Sequence, residues 1–402
     1  MKKPRILIVT EVFYPEEFNI NDIALSWKDK GYNVDVLTMT PTYPESVVFN
    51  GYKNKFFSRD LYQGINIFRL YAVTGYRGSI VKKLLRYIFF MVFGSIAAIF
   101  IGKKYSHVFG FNLGSLTDML PVIVIGKLYK KPTMFWVQDV WPDSVYAYGF
   151  KKTKLLSFFL DKFVSLMFHN VDRIGISAKG FKSKLKPYIK NSLDLNYIPN
   201  WAIYLDMNLK PIIFSAAKKI HFTFAGNIGK VQNLENIINA FCLLPDEYQK
   251  KTQLNIIGDG SNLANLKKLS NNNPNIIFHG KQMRKDMGKY YKSSDFLIVS
   301  LIDMPIYSVT IPAKFQTYIA VKKPILAIIN GDVADIVNNN NLGISVDPSN
   351  LNAIKKAFER CIDMPENEKY KFTINNEKLI ENEFNKDLII KKITKILFNE
   401  KY

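Results

Sequence analysis

Short apolar runs alternate with amphipathic stretches from the first residues to about residue 200. An apolar run of about five residues has the length of a buried strand, and apolar positions three and four apart are typical of a helix. The runs predict strands at 5–10, 34–39, 65–71, 107–111, 133–138, 173–177 and 197–200. Helices are predicted between several of them, for example at 21–30, where Gly31 follows as the cap. Strands that alternate with helices in this way form a parallel sheet with helices on both faces.

The same alternation starts again after a weakly periodic linker at 202–218. Here the predicted strands are 221–225, 253–257, 276–279, 296–299, 324–329 and 343–346, and the clearest helix is 234–244. A length of 402 residues is enough for two domains, each with its own core. The sequence therefore predicts an α/β protein of two doubly wound, Rossmann-like parallel-sheet domains at 1–200 and 201–374, followed by a Lys-rich helical tail at 375–402.

The segment 77–104 is apolar in its middle and basic towards its ends. Its basic residues, with no acidic residue among them, are Arg77, Lys82, Lys83, Arg86, Lys103 and Lys104. The apolar run 87–101 is shorter than the roughly 20 residues that a spanning helix needs. Two interpretations stay open: a buried helix of the α/β core, or a helix that lies on an anionic bilayer with its lysines outward. The stretch 155–168 is a second amphipathic candidate, and peripheral attachment is favoured over spanning.

The net charge of +21 indicates an anionic partner or surface. Nucleic acid is not favoured, because no zinc finger, helix-turn-helix or aromatic RNA-binding signature accompanies the charge. The two cysteines, Cys242 and Cys361, have no metal-ligand spacing and are too few for a disulfide framework, which favours a reducing compartment. The N-terminal apolar run is too short for a signal-peptide core. We therefore expect a cytoplasmic protein.

The stretch 308–327 carries the clearest candidate chemistry. It is typical of a strand end, a short loop, a helix opened by Pro312 and a further buried strand. Proline suits the first helical position, and Ser308 or Thr310 is placed to cap the helix. Unpaired N–H groups at such a helix start favour an anion, and Lys314 adds positive charge one turn in. The sequence therefore predicts a diphosphate site, although any strand-to-helix turn of an α/β domain has the same outline.

This stretch resembles the nucleotide-sugar-binding segment of family 4 glycosyltransferases, which have the GT-B fold. The likeness includes three earlier strand-end loops, at 225–234, 257–260 and 278–295, and covers most of the chain. It is closest to the bacterial branch that builds O-antigen, colanic acid and other surface polysaccharides. The resemblance implies two domains that face a cleft, the first binding the acceptor and the second a nucleotide-sugar donor, expected to be UDP-linked. It also implies that the tail at 375–402 crosses back to the first domain.

The resemblance implies a donor-binding role for twelve residues of these loops. They are Gly226, Asn227, Lys230, Gln232, Gly258, Asp259, His279, Lys281, Ser308, Thr310, Ile311 and Gln316. The broad family has an Arg and a Lys at the positions of Asn227 and Gln232, and two glutamates at those of Ser308 and Gln316. The carboxamide oxygen of Gln316 still accepts hydrogen bonds from a ribose diol. Lys314 is assigned to catalysis, as the cation that supports the donor diphosphate.

The first domain offers polar residues beyond two of its predicted strands. Asn19, Asn21 and Asp22 open the first helix as acceptor-side residues, and Asn21 or Asp22 as a simple N-cap is the alternative. The segment 136–143 follows a buried strand with two tryptophans, two carboxylates and a proline. Within it, Asp139 is assigned to catalysis as the residue nearest the reacting sugar, and a structural cap is its alternative role.

Neither metal nor cofactor is part of this prediction. The chain contains no Asp-x-Asp sequence, and a helix N-terminus, backbone amides and lysines offset the charge of a departing diphosphate. The resemblance implies sugar transfer with retention of configuration to a polyprenyl-diphosphate-linked glycan, at the cytoplasmic face of the bacterial inner membrane. Two other functions stay open: a nucleotide-sugar epimerase of the same fold, and a membrane-surface binding protein without catalysis. The scarcity of histidines argues against the epimerase.

Overall fold

The computed structural model describes residues 3–147, 149–215 and 219–399 of the chain. The chain divides into two compact units, Met1–Pro199 with Ile389–Tyr402, and Asn200–Leu388. It therefore passes into the second unit near residue 200 and returns to the first at Ile389. The sequence placed the start of the returning tail at residue 375, whereas residues 375–382 lie in a helix of the second unit.

A sheet of eight strands forms the centre of the first unit. The strands are β1 (Arg5–Val9), β2 (Asn33–Met39), β3 (Phe57–Tyr62), β4 (Ile65–Leu70), β5 (His107–Phe111), β6 (Thr133–Val137), β7 (Arg173–Ile176) and β8 (Leu195–Tyr197). Their spatial order is β3-β4-β2-β1-β5-β6-β7-β8, and all neighbours are parallel except β3 and β4. The edge strand β3 is additional to the predicted strands, and it joins β4 through a tight turn at Gln63 and Gly64, both with positive φ angles.

Helices cover the first sheet. They are α1 (Asn19–Asp29), α2 (Ile80–Ile101), α3 (Met119–Tyr129), α4 (Asp143–Ala147), α5 (Lys154–His169) and α6 (Phe181–Leu185). The side chains of β1, β2, β5 and β6 are almost all buried, as expected for parallel strands with apolar residues on both faces. Helix α3 packs against both α2 and α5, so these three helices form one layer of the unit.

The second unit is built on a sheet of parallel strands. These are β9 (Ile220–Ala225), β10 (Thr252–Ile257), β11 (Ile276–Gly280), β12 (Phe296–Ser300), β13 (Ile325–Ile328) and β14 (Gly343–Val346), in the order β11-β10-β9-β12-β13-β14. The helices are α7 (Leu234–Cys242), α8 (Asp246–Lys250), α9 (Leu263–Leu269), α10 (Met287–Lys292), α11 (Ala313–Val321), α12 (Asp332–Asn339), α13 (Leu351–Ile362) and α14 (Glu366–Asn382). Successive residues of β12 and β13 alternate between two apolar clusters, because a strand points its side chains to both faces of the sheet.

The last helix, α15 (Lys386–Phe398), packs in the first unit from Ile389 onward. There the indole Nε1 of Trp27, on α1, donates to Thr394 Oγ1 at 2.8 Å. Both side chains are buried, so this contact joins the end of the chain to the core of the first unit.

In each sheet the strand order reverses at one point, between β1 and β5 in the first and between β9 and β12 in the second. At such a reversal, the loops that follow the carboxyl ends of the neighbouring parallel strands diverge. The crevice between these loops can hold a ligand. The prediction of an α/β protein with two doubly wound units is confirmed. The topology of each unit provides a candidate ligand site.

Candidate active site

Two glycine loops interlock beyond the carboxyl ends of β9 and β10. The amide of Gly226 donates to the Ile257 carbonyl at 2.9 Å, and the amide of Ile228 donates to the Asp259 carbonyl at 2.8 Å. Gly258 has a φ angle of +139°, and a Cβ there would come within 1.9 Å of the Gly226 carbonyl oxygen. Only glycine allows two backbones to approach so closely. The two loops are therefore held to each other, and the first of them borders the reversal between β9 and β12.

Lys314 reaches from α11 to the first of these loops. Its Nζ lies 2.5 Å from Gln232 Oε1 and 3.7 Å from the centre of the Phe224 ring. A Cβ placed on Gly226 would lie 3.4 Å from the same nitrogen. Burial lowers the pKa of Lys314 to about 7, because the ammonium form loses hydration. The contacts of Lys314 are an amide oxygen and an aromatic ring, so a bound anion would supply the full negative charge that favours the ammonium form.

Gln232 occupies the position where the family resemblance expects a lysine. Lys314 brings its ammonium group within hydrogen-bond distance of that position from a different element of the fold. The Lys314 amino group therefore lies at the glycine loop, where the loop itself has a glutamine in place of the expected lysine. This arrangement supports the prediction that Lys314 serves a diphosphate.

The start of α11 differs in detail from the prediction. Pro312 is the N-cap itself, one residue before the first helical position, and no side chain caps the helix. The expected capping hydroxyls bond elsewhere: Ser308 Oγ donates to the Pro305 carbonyl at 3.0 Å, and Thr310 Oγ1 donates to the Ile306 carbonyl at 2.7 Å. The capping prediction is wrong. Because no side-chain oxygen caps α11, its first amides are left for solvent or an anion.

The other predicted donor residues take different kinds of position. Gln316 is buried, and its amide nitrogen donates back to the Pro312 and Ala313 carbonyl oxygens at 2.8 and 3.0 Å. His279 lies on β11 with Nε2 2.9 Å from Asn255 Oδ1, and burial lowers the pKa of this histidine. The exposed side chains at the loop tips are Asn227, Lys230, Asp259 and Lys281, and Ile311 packs on the core. The exposed four are accessible to a ligand, whereas Gln316 bonds within the start of its own helix and His279 bonds to a side chain of β10.

Asp139 follows β6 at the carboxyl edge of the first sheet. Its carboxylate accepts a hydrogen bond from the Gly114 amide and faces the ammonium group of Lys83, on α2. Burial raises the pKa of Asp139, and these two contacts oppose the rise. Lys83 also faces Glu11, at the end of β1. The predicted catalytic carboxylate thus lies beside a cation that the sequence prediction did not assign to the site.

A buried charged cluster lies where β1 ends. Arg86, on α2, donates from Nη1 to Thr42 Oγ1 at 2.6 Å, and its Nε lies 3.5 Å from Glu11 Oε2. The guanidinium group also stacks on Tyr76, 4.8 Å from the ring centre. Glu11, Arg86 and the neighbouring Asp118 are each less than 5% exposed. None of these three had been assigned to the site from the sequence.

Glu11 and Asp118 are two acidic residues that are buried near each other. Both carboxyl oxygens of Asp118 are buried and have no hydrogen-bond partner within the part of the chain that the structure describes. Burial raises the pKa of Asp118, and the negative charge of Glu11 raises it further. Burial also raises the pKa of Glu11, and Arg86 opposes that rise. Neighbouring buried carboxyl groups disfavour each other's ionisation, and Arg86 favours the charged form of Glu11, its ion-pair partner.

The predicted acceptor-side residues Asn19, Asn21 and Asp22 lie in the first turn of α1. The N-cap of this helix is Phe18, so the alternative reading of Asn21 or Asp22 as the N-cap is wrong. Asn21 Nδ2 donates to the Glu16 carbonyl at 2.7 Å. The buried Glu16 carboxylate in turn accepts from the backbone amides of Phe13, Thr42 and Tyr43. These bonds fix the loop that leads from β1 into α1.

The second unit matches a known family. Residues 208–380 match the family described as glycosyl transferases group 1. This chain carries a group 1 glycosyl transferase domain. The matched residues of the group 1 domain include the glycine loops, Lys314 and the other predicted donor residues, so the family resemblance noted in the sequence is confirmed.

Two relatives of this chain are named as glycosyltransferases. The chain is 23% identical over 242 residues to the probable glycosyltransferase WbjE of Pseudomonas aeruginosa, which covers 57% of this chain and 59% of that protein. It is 31% identical over 157 residues to the uncharacterized glycosyltransferase MJ1069 of Methanocaldococcus jannaschii, which covers 36% of this chain and 39% of that protein. The matches thus span less than two thirds of the length of each relative.

Solved structures share the fold over nearly the whole chain. Sucrose-phosphate synthase from Thermosynechococcus elongatus aligns with a TM-score of 0.70 at 14% identity, covering 99% of both chains. HepE from Anabaena, in complex with UDP and glucose, aligns with a TM-score of 0.66 at 10% identity, covering 98% of this chain and 100% of that one. These likenesses show that this chain has the GT-B fold, as the sequence predicted.

Proposed function

We propose that this protein is a retaining glycosyltransferase that moves a sugar from a UDP-linked donor to a polyprenyl-diphosphate-linked glycan. The product would belong to O-antigen or a related bacterial surface polysaccharide, made at the cytoplasmic face of the inner membrane. The observation that carries the proposal is the position of Lys314, at an uncapped helix start and over a glycine loop, inside a group 1 glycosyl transferase domain.

The donor end of the proposal rests on charge. A nucleotide-sugar carries a negatively charged diphosphate. The helix dipole at the first amides of α11 and the positive charge of the Lys314 ammonium group both attract such an anion. The same groups stabilise the nucleoside diphosphate as it leaves, when its negative charge increases. The HepE structure contains UDP and glucose, which supports UDP as the nucleotide.

The acceptor end rests on the carboxyl edge of the first sheet. The Asp139 carboxylate faces the Lys83 ammonium group there, and a sugar hydroxyl is recognised by such charged and polar groups. Asn19 and Asp22, in the first turn of α1, are further acceptor-side candidates. In a retaining transfer the departing phosphate oxygen takes the acceptor proton, so Asp139 would orient the acceptor sugar without acting as a nucleophile.

Nucleotide binding is the first test of the proposed function. Isothermal titration with UDP, GDP, dTDP and their common sugar derivatives is expected to give a response to UDP compounds that is at least tenfold tighter than to the others. A protein that only binds membranes would respond to none of these nucleotides, and that result would overturn the proposed function.

We expect activity without a divalent metal ion. The motivation is that Lys314 and the start of α11 supply positive charge where a metal ion would otherwise balance the diphosphate. Turnover in excess EDTA should stay within about twofold of turnover in magnesium, since the electrostatic stabilisation is built into the protein. A loss of activity that magnesium or manganese restores would show that metal ligands from separate loops have been missed.

Donor binding is expected to weaken as the pH rises above about 7. The pKa of Lys314 is about 7 in the free protein, and a bound diphosphate raises it by favouring the ammonium form. Between these two pKa values the complex binds a proton that the free protein lacks, so affinity falls by up to roughly tenfold for each pH unit. A UDP-sugar suits the measurement because its diphosphate does not titrate near neutral pH. Lys314→Arg should make the dependence flat, since arginine stays charged. An unchanged slope in that variant would remove Lys314 from the site.

A further inference from the structure

Helix α2 has two opposite faces that differ in exposure. Its inner stripe, at intervals of four residues, is buried and consists of Arg86, Phe90, Gly94 and Ala98. Its outer stripe is apolar and exposed and consists of Ile80, Leu84, Ile88, Val92, Ile96 and Phe100. Phe100 is the most exposed of these residues, at 81%. The outer face of a helix on a soluble domain is ordinarily polar, so this stripe needs a covering partner.

The inner stripe holds α2 along the first unit. Arg86 donates a hydrogen bond to Thr42 and forms an ion pair with Glu11. A Cβ on Gly94 would lie 3.0 Å from the ring of Pro121, on α3, so the two helices are in close contact there. By length and composition α2 is also able to cross a membrane, and it is the one helix of the described ranges of which this holds. A crossing helix would expose its inner stripe to lipid, and the buried Arg86 would then lose its partners.

Helix α5 continues the same apolar surface. It lies in the same layer as α2, with α3 between them. Its exposed side chains include the apolar Leu155, Phe158, Phe159 and Leu166. The exposed Lys162 lies among them, with Nζ 5.8 Å from the centre of the Phe158 ring. Leu128, near the end of α3, is exposed as well. We call the outward side chains of α2, α3 and α5 the α2–α5 face.

The α2–α5 face has a basic border. Residues 77–104 and 144–160, which carry α2 and the first part of α5, contain no acidic residue. The exposed lysines of these two segments are Lys82, Lys103, Lys104, Lys151, Lys152 and Lys154. An apolar surface bordered by lysines is complementary to an anionic bilayer, where acyl chains meet negatively charged headgroups.

We propose that the α2–α5 face docks on an anionic phospholipid bilayer with α2 lying in the membrane plane, and that α5 is a second anchor beside it. This inference deepens the proposed function, because a polyprenyl-linked acceptor is presented at such a surface. The docking is nevertheless measurable without any sugar transfer. Failure of vesicle binding with intact transfer would reject the docking alone, and the reverse result would reject the proposed function alone.

Depth measurement separates a helix in the membrane plane from one that crosses. Single cysteines at Leu84, Val92 and Phe100 would carry a fluorophore, in a protein with Cys242→Ser and the buried Cys361 retained. Quenching by brominated lipids at known depths reports each position in vesicles of phosphatidylcholine with phosphatidylglycerol. We expect all three labels at one shallow depth, about 5–10 Å below the headgroups. A label at Phe158 should report the same depth.

Matched variants test which parts of the face act. Ile88→Gln with Ile96→Gln on α2, or Phe159→Gln on α5, should each lower vesicle affinity at least tenfold, whereas the exposed Leu243→Gln of the second unit should leave it unchanged. Replacing Lys82, Lys103, Lys151 and Lys152 by Gln should abolish the preference for anionic over neutral vesicles. The same four-charge change at the exposed Lys250, Lys251, Lys267 and Lys268 of the second unit is the control.

The outcomes are distinct. A depth difference of about 24 Å between Leu84 and Phe100, at about 1.5 Å per residue, would mean that α2 crosses the bilayer and would overturn the proposal. Absence of quenching in anionic vesicles would mean that another occupant covers the face, and would overturn it too. Equal effects of the two four-lysine sets would reject the α2–α5 face as the source of charge specificity.

Discussion

Replacing Lys314 by methionine is expected to lower kcat/KM for sugar transfer about 100- to 1,000-fold. The expected loss corresponds to roughly 2.7–4 kcal/mol, the range found when one preorganised donor to a developing anion is removed. Methionine retains the contact with the Phe224 ring but offers no charge to the leaving diphosphate. The measurement is steady-state turnover with the UDP-sugar that binds best.

A stability measurement shows whether lost turnover comes from unfolding of the variant or from the missing charge. Lys314→Met removes a cation that burial already destabilises, so thermal unfolding of the variant should occur at the wild-type temperature or above it. Lys230→Met is the matched control, because Lys230 belongs to the same loop but is exposed. It should have a much smaller effect on turnover. Wild-type turnover in Lys314→Met would contradict the assignment.

Replacing Arg86 by methionine is expected to lower the free energy of unfolding of the first unit by about 3–5 kcal/mol. This is the cost of breaking a buried ion pair and leaving the other charge unpaired, here that of Glu11. Thr42 would lose its hydrogen bond as well. Urea unfolding followed by tryptophan fluorescence in a Trp201→Phe background reports the first unit, since the other tryptophans, Trp27, Trp136 and Trp141, lie there.

The double variant Glu11→Met with Arg86→Met separates pairing from packing. Removing both partners should recover a large part of the lost stability, because no unpaired charge remains. Lys82→Met, on the exposed side of the same helix, is the control and should change stability by less than about 0.5 kcal/mol. If Arg86→Met behaved like Lys82→Met, the cluster at the end of β1 would not be part of the folded core.

The sheet architecture was accessible from the sequence because parallel strands are apolar on both faces. The runs at 5–10 and 253–257 stand out against polar surroundings, and both are strands in the structure. The edge strand β3 was not accessible in this way, since its side chains alternate only between exposed and partly exposed. Its pairing with β4 depends on the turn at Gln63 and Gly64 and on the neighbouring strand, which no local hydrophobic pattern records.

The candidate site was predicted where chemistry is local in sequence. The glycine loops and Lys314 lie within short segments, and their positions follow from the order of strands and helices. The cluster of Glu11, Arg86 and Asp118 joins residues far apart in the chain, so only the fold brings them together. A signal was present nonetheless, because Glu11 comes two residues after the apolar run 6–9 and Arg86 interrupts an apolar helix. Charged residues at such positions are rarely buried without a partner.

The central claim is transfer of a sugar to a lipid-linked glycan, and one measurement tests it most directly. Purified protein would be incubated with a UDP-sugar and polyprenyl-diphosphate-linked acceptors in anionic vesicles, and the lipid product would be isolated and its new glycosidic bond assigned by NMR. We predict a lipid-linked product with one added sugar in the anomeric configuration of the donor. Release of UDP with the sugar found only in free form, or recovery of the donor as an epimer, would contradict the account.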